Sequence, residues 1–244
     1  MTKLVISGRL RAGKNHLAEQ MGCRAVAISD PMYLVSEHFL GTSDKDLPHV
    51  RRHLQLIGAW GRCFQEPDPE GLPSRETVTD FMRTKARDFL PAEYRDIAWD
   101  RYGKDPDFWV TATRQRVDRM IEDSPATPVA ITNARFLPEI ESFQAIGFTH
   151  LHVQCSTGTR MARAKRDYDP KLDQHPGEQM AIDFDKPVRL NDRQVVCNDH
   201  LAPPAVSNFL SVQEAVAQYT TLSLPSAPAQ SYVGAATAVN HALA

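Results

Sequence analysis

Cysteine is scarce in this chain. Cys23, Cys63, Cys155 and Cys197 are its only four, and no two of them form a C-x-x-C pair. Such spacing argues against a zinc site and against a disulfide framework, and the four read as reduced core thiols. Long apolar runs are also missing: none approaches the roughly eighteen residues that a membrane-spanning helix requires. No charged-then-apolar leader precedes the first apolar run, so the expected location is the cytoplasm, with neither secretion nor a membrane partner. Neither sign of charge prevails, since 28 Lys and Arg against 30 Asp and Glu leave a net charge of −2. A global basic field for a nucleic-acid partner is thereby excluded, although a local patch is not. No internal repeat is present. What remains is an ordinary globular composition whose 244 residues suit one α/β domain with an inserted lobe better than two full domains.

Five short apolar runs stand out, at Leu4–Ser7, Ala25–Ser29, Val129–Thr132, Thr149–Gln154 and Gln194–Asn198. Near-continuous apolar character suits strands covered on both faces of a parallel sheet. Helical patterns occupy Lys14–Met21, Pro31–Leu40, Val50–Phe64, Asp107–Glu122, Leu137–Ile146 and Val212–Tyr219. Strand and helix alternate, so the expected fold is a doubly wound α/β sheet of five parallel strands. Residues 1–221 form the expected domain. Within it, 30–124 read as a helical substrate-binding insertion without a strand, and 157–192 as a polar lid. Residues 222–244, rich in Ala, Ser and Pro, read as a low-complexity tail.

The most informative segment is KLVISGRLRAGKNHLAEQM, residues 3–21. A strand, a Gly8-x-x-x-x-Gly13-Lys14 loop and a helix follow one another, the context a phosphate-binding loop requires. Two glycines let the backbone curl so that loop N–H groups, including those near Arg11 and Ala12, converge on phosphate oxygens, and Lys14 can bridge the β- and γ-phosphates. Ser or Thr usually follows, supplying a hydroxyl to Mg2+; here Asn15 and His16 follow, and the Asn15 amide oxygen is the one candidate metal ligand.

Phosphoryl transfer depends on charge neutralisation and alignment, so convergent arginines are the next signal. In RRHLQLIGAWGR a helix brings Arg51, Gln55 and Arg62 together, or else presents a solvated basic face. DPDFWV starts a helix with Asp107 as N-cap and Trp109 in its first turn, where core is the more common fate of a helical Trp. The buried run ending in Asn133 and Arg135 delivers polar groups to the carboxyl end of a strand, where α/β sheets bind ligands. Arg160, Arg163 and Arg166 recur every third residue along one helical flank, as lid arginines or as a solvated face.

These segments, in this order, resemble the phage-type deoxynucleoside monophosphate kinases, a branch of the P-loop nucleoside monophosphate kinase family. The matching marks are GRLRAGK, SDPMYLV, RRHLQLIGAWGR, DPDFWV and ITNARFLPEIESFQAIG, which together span about residues 3 to 155. The resemblance implies a P-loop kinase fold and transfer of the γ-phosphoryl group of ATP to a deoxynucleoside monophosphate, with Mg2+, in the cytoplasm of a phage host. It implies that Gly8, Arg11, Ala12, Gly13, Lys14, Asn15, His16 and Asn198 bind ATP. It places Asp30, Arg51, Gln55, Arg62, Trp109, Asn133 and Arg135 at the monophosphate, and makes Lys14, Arg135, Arg160, Arg163 and Arg166 catalytic. A homodimer is compatible with it.

Two positions depart from the family pattern. Asn15-His16 replaces the hydroxyl residue, and Asn133 stands where the family carries Asp. Both changes remove help for a cation. Two rival readings follow: a kinase of a hydroxylated base in DNA, and a nucleotide-binding protein whose catalysis is impaired.

Overall fold

The structure is a computed structural model that describes residues 1–163, 194–197 and 209–221. Its centre is a parallel sheet of β1 (Lys3–Ser7), β2 (Arg24–Val26), β3 (Val129–Ile131), β4 (Thr149–Gln154), β5 (Gln194–Cys197) and β6 (Phe209–Ser211), in the order β2-β3-β1-β4-β5-β6. Five strands were expected and β6 is additional. Three residues running straight into a helix carry too little alternation to be read from sequence.

The strands are apolar throughout because successive side chains serve opposite layers. Val5, Val26, Val129 and Ile131 point into one layer, while Leu4, Ile6, Ala130, Leu151 and Val153 point into the other. The first layer is built by α2 (Asp30–Leu40), α3 (Pro48–Gly61), α4 (Arg75–Thr84), α5 (Ala86–Phe89), α6 (Phe108–Asp123) and α7 (Leu137–Gln144), with two 3-10 turns at Ala92–Tyr94 and Trp99–Arg101. The second contains α1 (Lys14–Gln20) and α9 (Val212–Thr221); α8 (Thr157–Ala162) follows β4. Between β2 and β3 the chain forms helices and no strand, and these helices share one apolar core with the sheet rather than enclosing a core of their own.

Several boundaries shift for local reasons. The strand expected over Ala25–Ser29 ends at Val26, because side chains take over the backbone bonds: Asp30 Oδ2 accepts the Ala27 N–H at 3.0 Å and Asn133 Oδ1 accepts that of Ile28 at 2.6 Å. Helix α3 stops at Gly61 rather than Phe64, where Cys63 turns the chain with φ 63°. Asp107 does occupy the N-cap of α6, but its side chain caps nothing; Asp105 Oδ1 instead accepts the Asp107 N–H at 3.0 Å.

Topology also locates a crevice. β1 lies between β3 and β4, and the chain leaves β1 toward β2 but leaves β4 toward β5. Connections that diverge at neighbouring strands open a cleft beyond their carboxyl ends, the usual ligand position in open α/β sheets.

Candidate functional site

The loop after β1 occupies this crevice. Gly8 (φ 142°) is held so close to β4 that a Cβ there would lie 2.4 Å from the Val153 carbonyl oxygen, so no side chain fits. Arg11 and Gly13 have φ of 63° and 98°. Left-handed residues alternating with ordinary ones turn successive N–H groups to one side, the concave arrangement that receives anions. Lys14 Nζ donates to the carbonyls of Gly8 (2.8 Å) and Arg9 (2.9 Å), so the ammonium lies across the loop mouth. Asn15 and His16 are exposed in the first turn of α1.

Arg160 and Arg163 are not displayed on an open lid. Residues Thr157–Ala162 form α8, capped by Ser156 Oγ accepting the Thr159 N–H at 3.1 Å, and seated on the loop. Buried Arg160 donates through a terminal nitrogen to the Leu10 carbonyl at 3.4 Å. Arg163 donates to the carbonyls of Arg11 and Ala12, each at 3.2 Å. These two cations therefore hold the carbonyl side of the loop. Arg166, Asn198, most of the lid and the tail lie outside the described residues.

Beside the loop opens a cavity of about 270 Å³. Leu10 of the loop, the carboxyl ends of β2 and β3, and one face of α3 line it. That face is Arg51, Gln55, Gly58, Ala59 and Arg62, a spacing of four, three, one and three that follows the helical repeat. Arg51 and Arg62 are about 16 Å apart along the axis at 1.5 Å per residue, so they bound opposite ends rather than clustering. Lys45 and Arg52 add cations, Met32, Leu54, Phe64 and Phe136 add apolar wall, and Tyr33 adds a hydroxyl. Burial pushes the Tyr33 phenol up from its ordinary value, with Arg135 and Arg51 opposing and Asp30 adding to it. It is therefore a neutral donor near neutral pH.

Pairing moderates the positive charge. Arg51 lies 3.7 Å from Asp46, Arg52 lies 3.4 Å from Glu66, and Arg62 lies 2.5 Å from Glu139. Asn133 lines the cavity, but its amide is engaged, with Oδ1 on the Ile28 N–H and Nδ2 donating to Ser29 Oγ at 2.7 Å.

Asp30 and Trp109 stand apart from the cavity lining. The Asp30 carboxylate, besides fixing the Ala27 N–H, pairs with Arg116 at 2.5 Å, and Arg116 also reaches Glu93 at 2.6 Å over the Tyr94 ring. Trp109 is buried, and its indole N–H donates to the Gly58 carbonyl at 3.1 Å beneath α3. Both shape the site from behind. Sequence reading missed Tyr33, Phe136 and Glu139. For Glu139 a signal existed, since a carboxylate at the third position of a helix reaches back to free N–H groups at its start.

Among the described residues no three His, Cys, Asp or Glu side chains gather where a metal could bind, and no helix is long and apolar enough to cross a membrane. The fold and site define an α/β protein with a parallel sheet, a glycine loop at its central strand and an arginine-lined cavity alongside. No protein-family model matches the chain, and no curated protein matches it, so the family resemblance rests on the quoted motifs.

Proposed function

We propose that the protein is a P-loop kinase that transfers the γ-phosphoryl group of ATP to a deoxynucleoside monophosphate. The observation that carries this reading is that Leu10 of the glycine loop lines the same cavity as Arg62 and Arg135. A donor triphosphate on the loop and an acceptor phosphate on those arginines would then be neighbours, and alignment is most of what phosphoryl transfer asks of a protein. The loop amides and Lys14 would take the triphosphate. Arg62 and Arg135 would take the dianionic acceptor, Tyr33 would donate to it, and Gln55 with the walls of Met32, Leu54 and Phe64 would receive sugar and base. An acceptor oxygen, already ionised near neutral pH, attacks the γ-phosphorus; the bond to the β,γ-bridging oxygen breaks and ADP departs with that electron pair. No general base is needed.

The described residues offer Mg2+ little. Asn15 supplies one neutral oxygen, and Asn133 has its amide committed to Ile28 and Ser29. A cation would enter as the triphosphate's own partner. This poverty of ligands favours one second reading, nucleotide binding without turnover.

The test is ADP formation from ATP and Mg2+ with each common deoxynucleoside monophosphate in turn, beside Lys14→Ala. Turnover that depends on a monophosphate and falls by about 100-fold or more in Lys14→Ala is expected, in line with the loss of an electrostatic clamp. ATP binding with no turnover for any monophosphate would reject the kinase and select the second reading.

A further inference from the structure

Glu139 carries more bonds to the cavity walls than any role discussed so far requires. It is the third residue of α7, buried, and absent from the cavity lining. Its Oε2 accepts the N–H groups of Arg135 (2.9 Å) and Phe136 (3.2 Å). Its Oε1 accepts from Arg62 Nε (3.2 Å) and from a terminal nitrogen of Arg62 (2.5 Å). Helix capping accounts for Oε2 alone. Arg62 comes from the end of α3, 77 residues away, so the second oxygen ties the helical insertion to the carboxyl end of β3.

The bonds leave Arg62 usable. A guanidinium has five N–H donors. Two go to Glu139 and one to the Gly58 carbonyl at 2.9 Å, with the plane held 5.1 Å from the centre of the Phe136 ring. Two N–H groups remain for a ligand, and the plane that carries them cannot rotate without breaking bonds to Glu139. The same carboxylate fixes the backbone from which Arg135 projects into the cavity. Resting on the kinase reading above, we propose that Glu139 is a positioning residue that joins Arg62 and Arg135 into one rigid grip on the acceptor's phosphate.

Its charge and its geometry are separable. In Glu139→Gln one amide oxygen remains, so either Arg62 or the Arg135–Phe136 N–H pair loses its acceptor, and the NH2 group faces other donors. Arg62 keeps its charge, loses the carboxylate that offsets it, and loses direction. The experiment measures deoxynucleoside monophosphate binding at equilibrium, together with KM for monophosphate and for ATP, in wild type, Glu139→Gln, Arg62→Lys and the double variant. Arg62→Lys keeps the cation opposite Glu139 but has no fork, which guards against a variant that merely fails to fold.

The expected result is monophosphate affinity about tenfold weaker in each single variant, ATP KM within about twofold, and a double variant little worse than either single one, as befits residues acting as a unit. Unchanged monophosphate affinity in Glu139→Gln would overturn the proposal while leaving the kinase reading intact. Equal losses for monophosphate and ATP would also overturn it, by showing general loosening. Monophosphate binding that needs Glu139, in a protein with no turnover, would support the positioning role and reject the kinase. A wild type that binds no monophosphate would reject both.

Discussion

Replacing Gly61 by alanine sets helix propensity against packing at one atom. Gly61 is the last residue of α3, and in an open helix the change would stabilise by roughly 1 kcal/mol. Here the added Cβ would lie 2.2 Å from Trp109 Nε1, 2.6 Å from Cε2 and 3.0 Å from Cζ2. Ordinary contact begins near 3.4 Å, so the indole must retreat by about 1.2 Å, the difference between 3.4 and 2.2 Å. It has nowhere to go without disturbance, because Phe108 and Tyr102 pack against it at ring-centre distances of 4.9 and 5.7 Å. Overpacking of this kind costs ~1–3 kcal/mol, and losing the indole bond to the Gly58 carbonyl costs about 1 kcal/mol more. After subtracting the propensity gain, Gly61→Ala should destabilise by ~1–3 kcal/mol, or a fall in Tm of about 2–12 °C for a chain of this size. Urea unfolding followed by tryptophan fluorescence measures it, with Gly58→Ala as the graded control. At Gly58 the nearest atoms are a terminal nitrogen of Arg62 at 3.3 Å and the flexible end of Met32 at 3.5 Å, so only a few tenths of an ångström must yield and stability should change by less than about 1 kcal/mol. A Gly61→Ala protein as stable as wild type would refute the packing argument.

Two further outcomes are expected. Burial holds the His53 imidazole down to about 4 from an ordinary 6.5, with Nδ1 3.2 Å from Ser36 Oγ and Nε2 without a hydrogen-bond partner among the described residues. The unfolded chain takes up a proton as pH falls through about 6.5 and the folded one does not, so this contribution is complete above that pH and is lost between about 6.5 and 4. Allowing for solvent relaxation, the loss is ~1–2 kcal/mol by about pH 5, and His53→Leu should flatten stability over this window in urea titrations; an unaltered profile would rule out His53 as the cause. Removing the cation in Arg116→Leu leaves Asp30 and Glu93 facing each other half-buried and should cost ~1–3 kcal/mol in the same assay, whereas Arg116→Lys should recover part of it; equal loss in both would deny a role to the charge.

Local pattern revealed what local pattern determines. The order strand, Gly8 to Lys14, helix could be read because the glycine spacing is dictated by the backbone itself, here by the approach of Gly8 to Val153. Asn133 and Arg135 could be placed because a buried apolar strand must release its polar residues at an end. The partners of those residues could not. Glu139 meets Arg62 across 77 residues and Asp30 meets Arg116 across 86, and neither periodicity nor composition records such pairings. Trp109 was assigned to the ligand by resemblance, yet its indole serves the Gly58 carbonyl under α3. The helical flank of Arg160 and Arg163 was legible, but what it faces is the loop's carbonyls.

Among the described residues the two layers that cover the sheet are unequal, and the inequality falls on the glycine loop. The layer of α2 to α7 is thick with Trp60, Trp99, Tyr102, Phe108 and Trp109, whereas among the described residues the layer that receives Leu17 and Ala18 of α1 has no Phe, Tyr or Trp in its apolar cluster. Opening α1 uncovers no described aromatic core residue, unlike opening α3 or α6, so its amides should exchange hydrogen before theirs. Lys14 and the loop form the entrance to this unit. An anion seated there would close α1 first, and a slowing of exchange confined to residues 8–20 would report occupancy without any turnover of substrate.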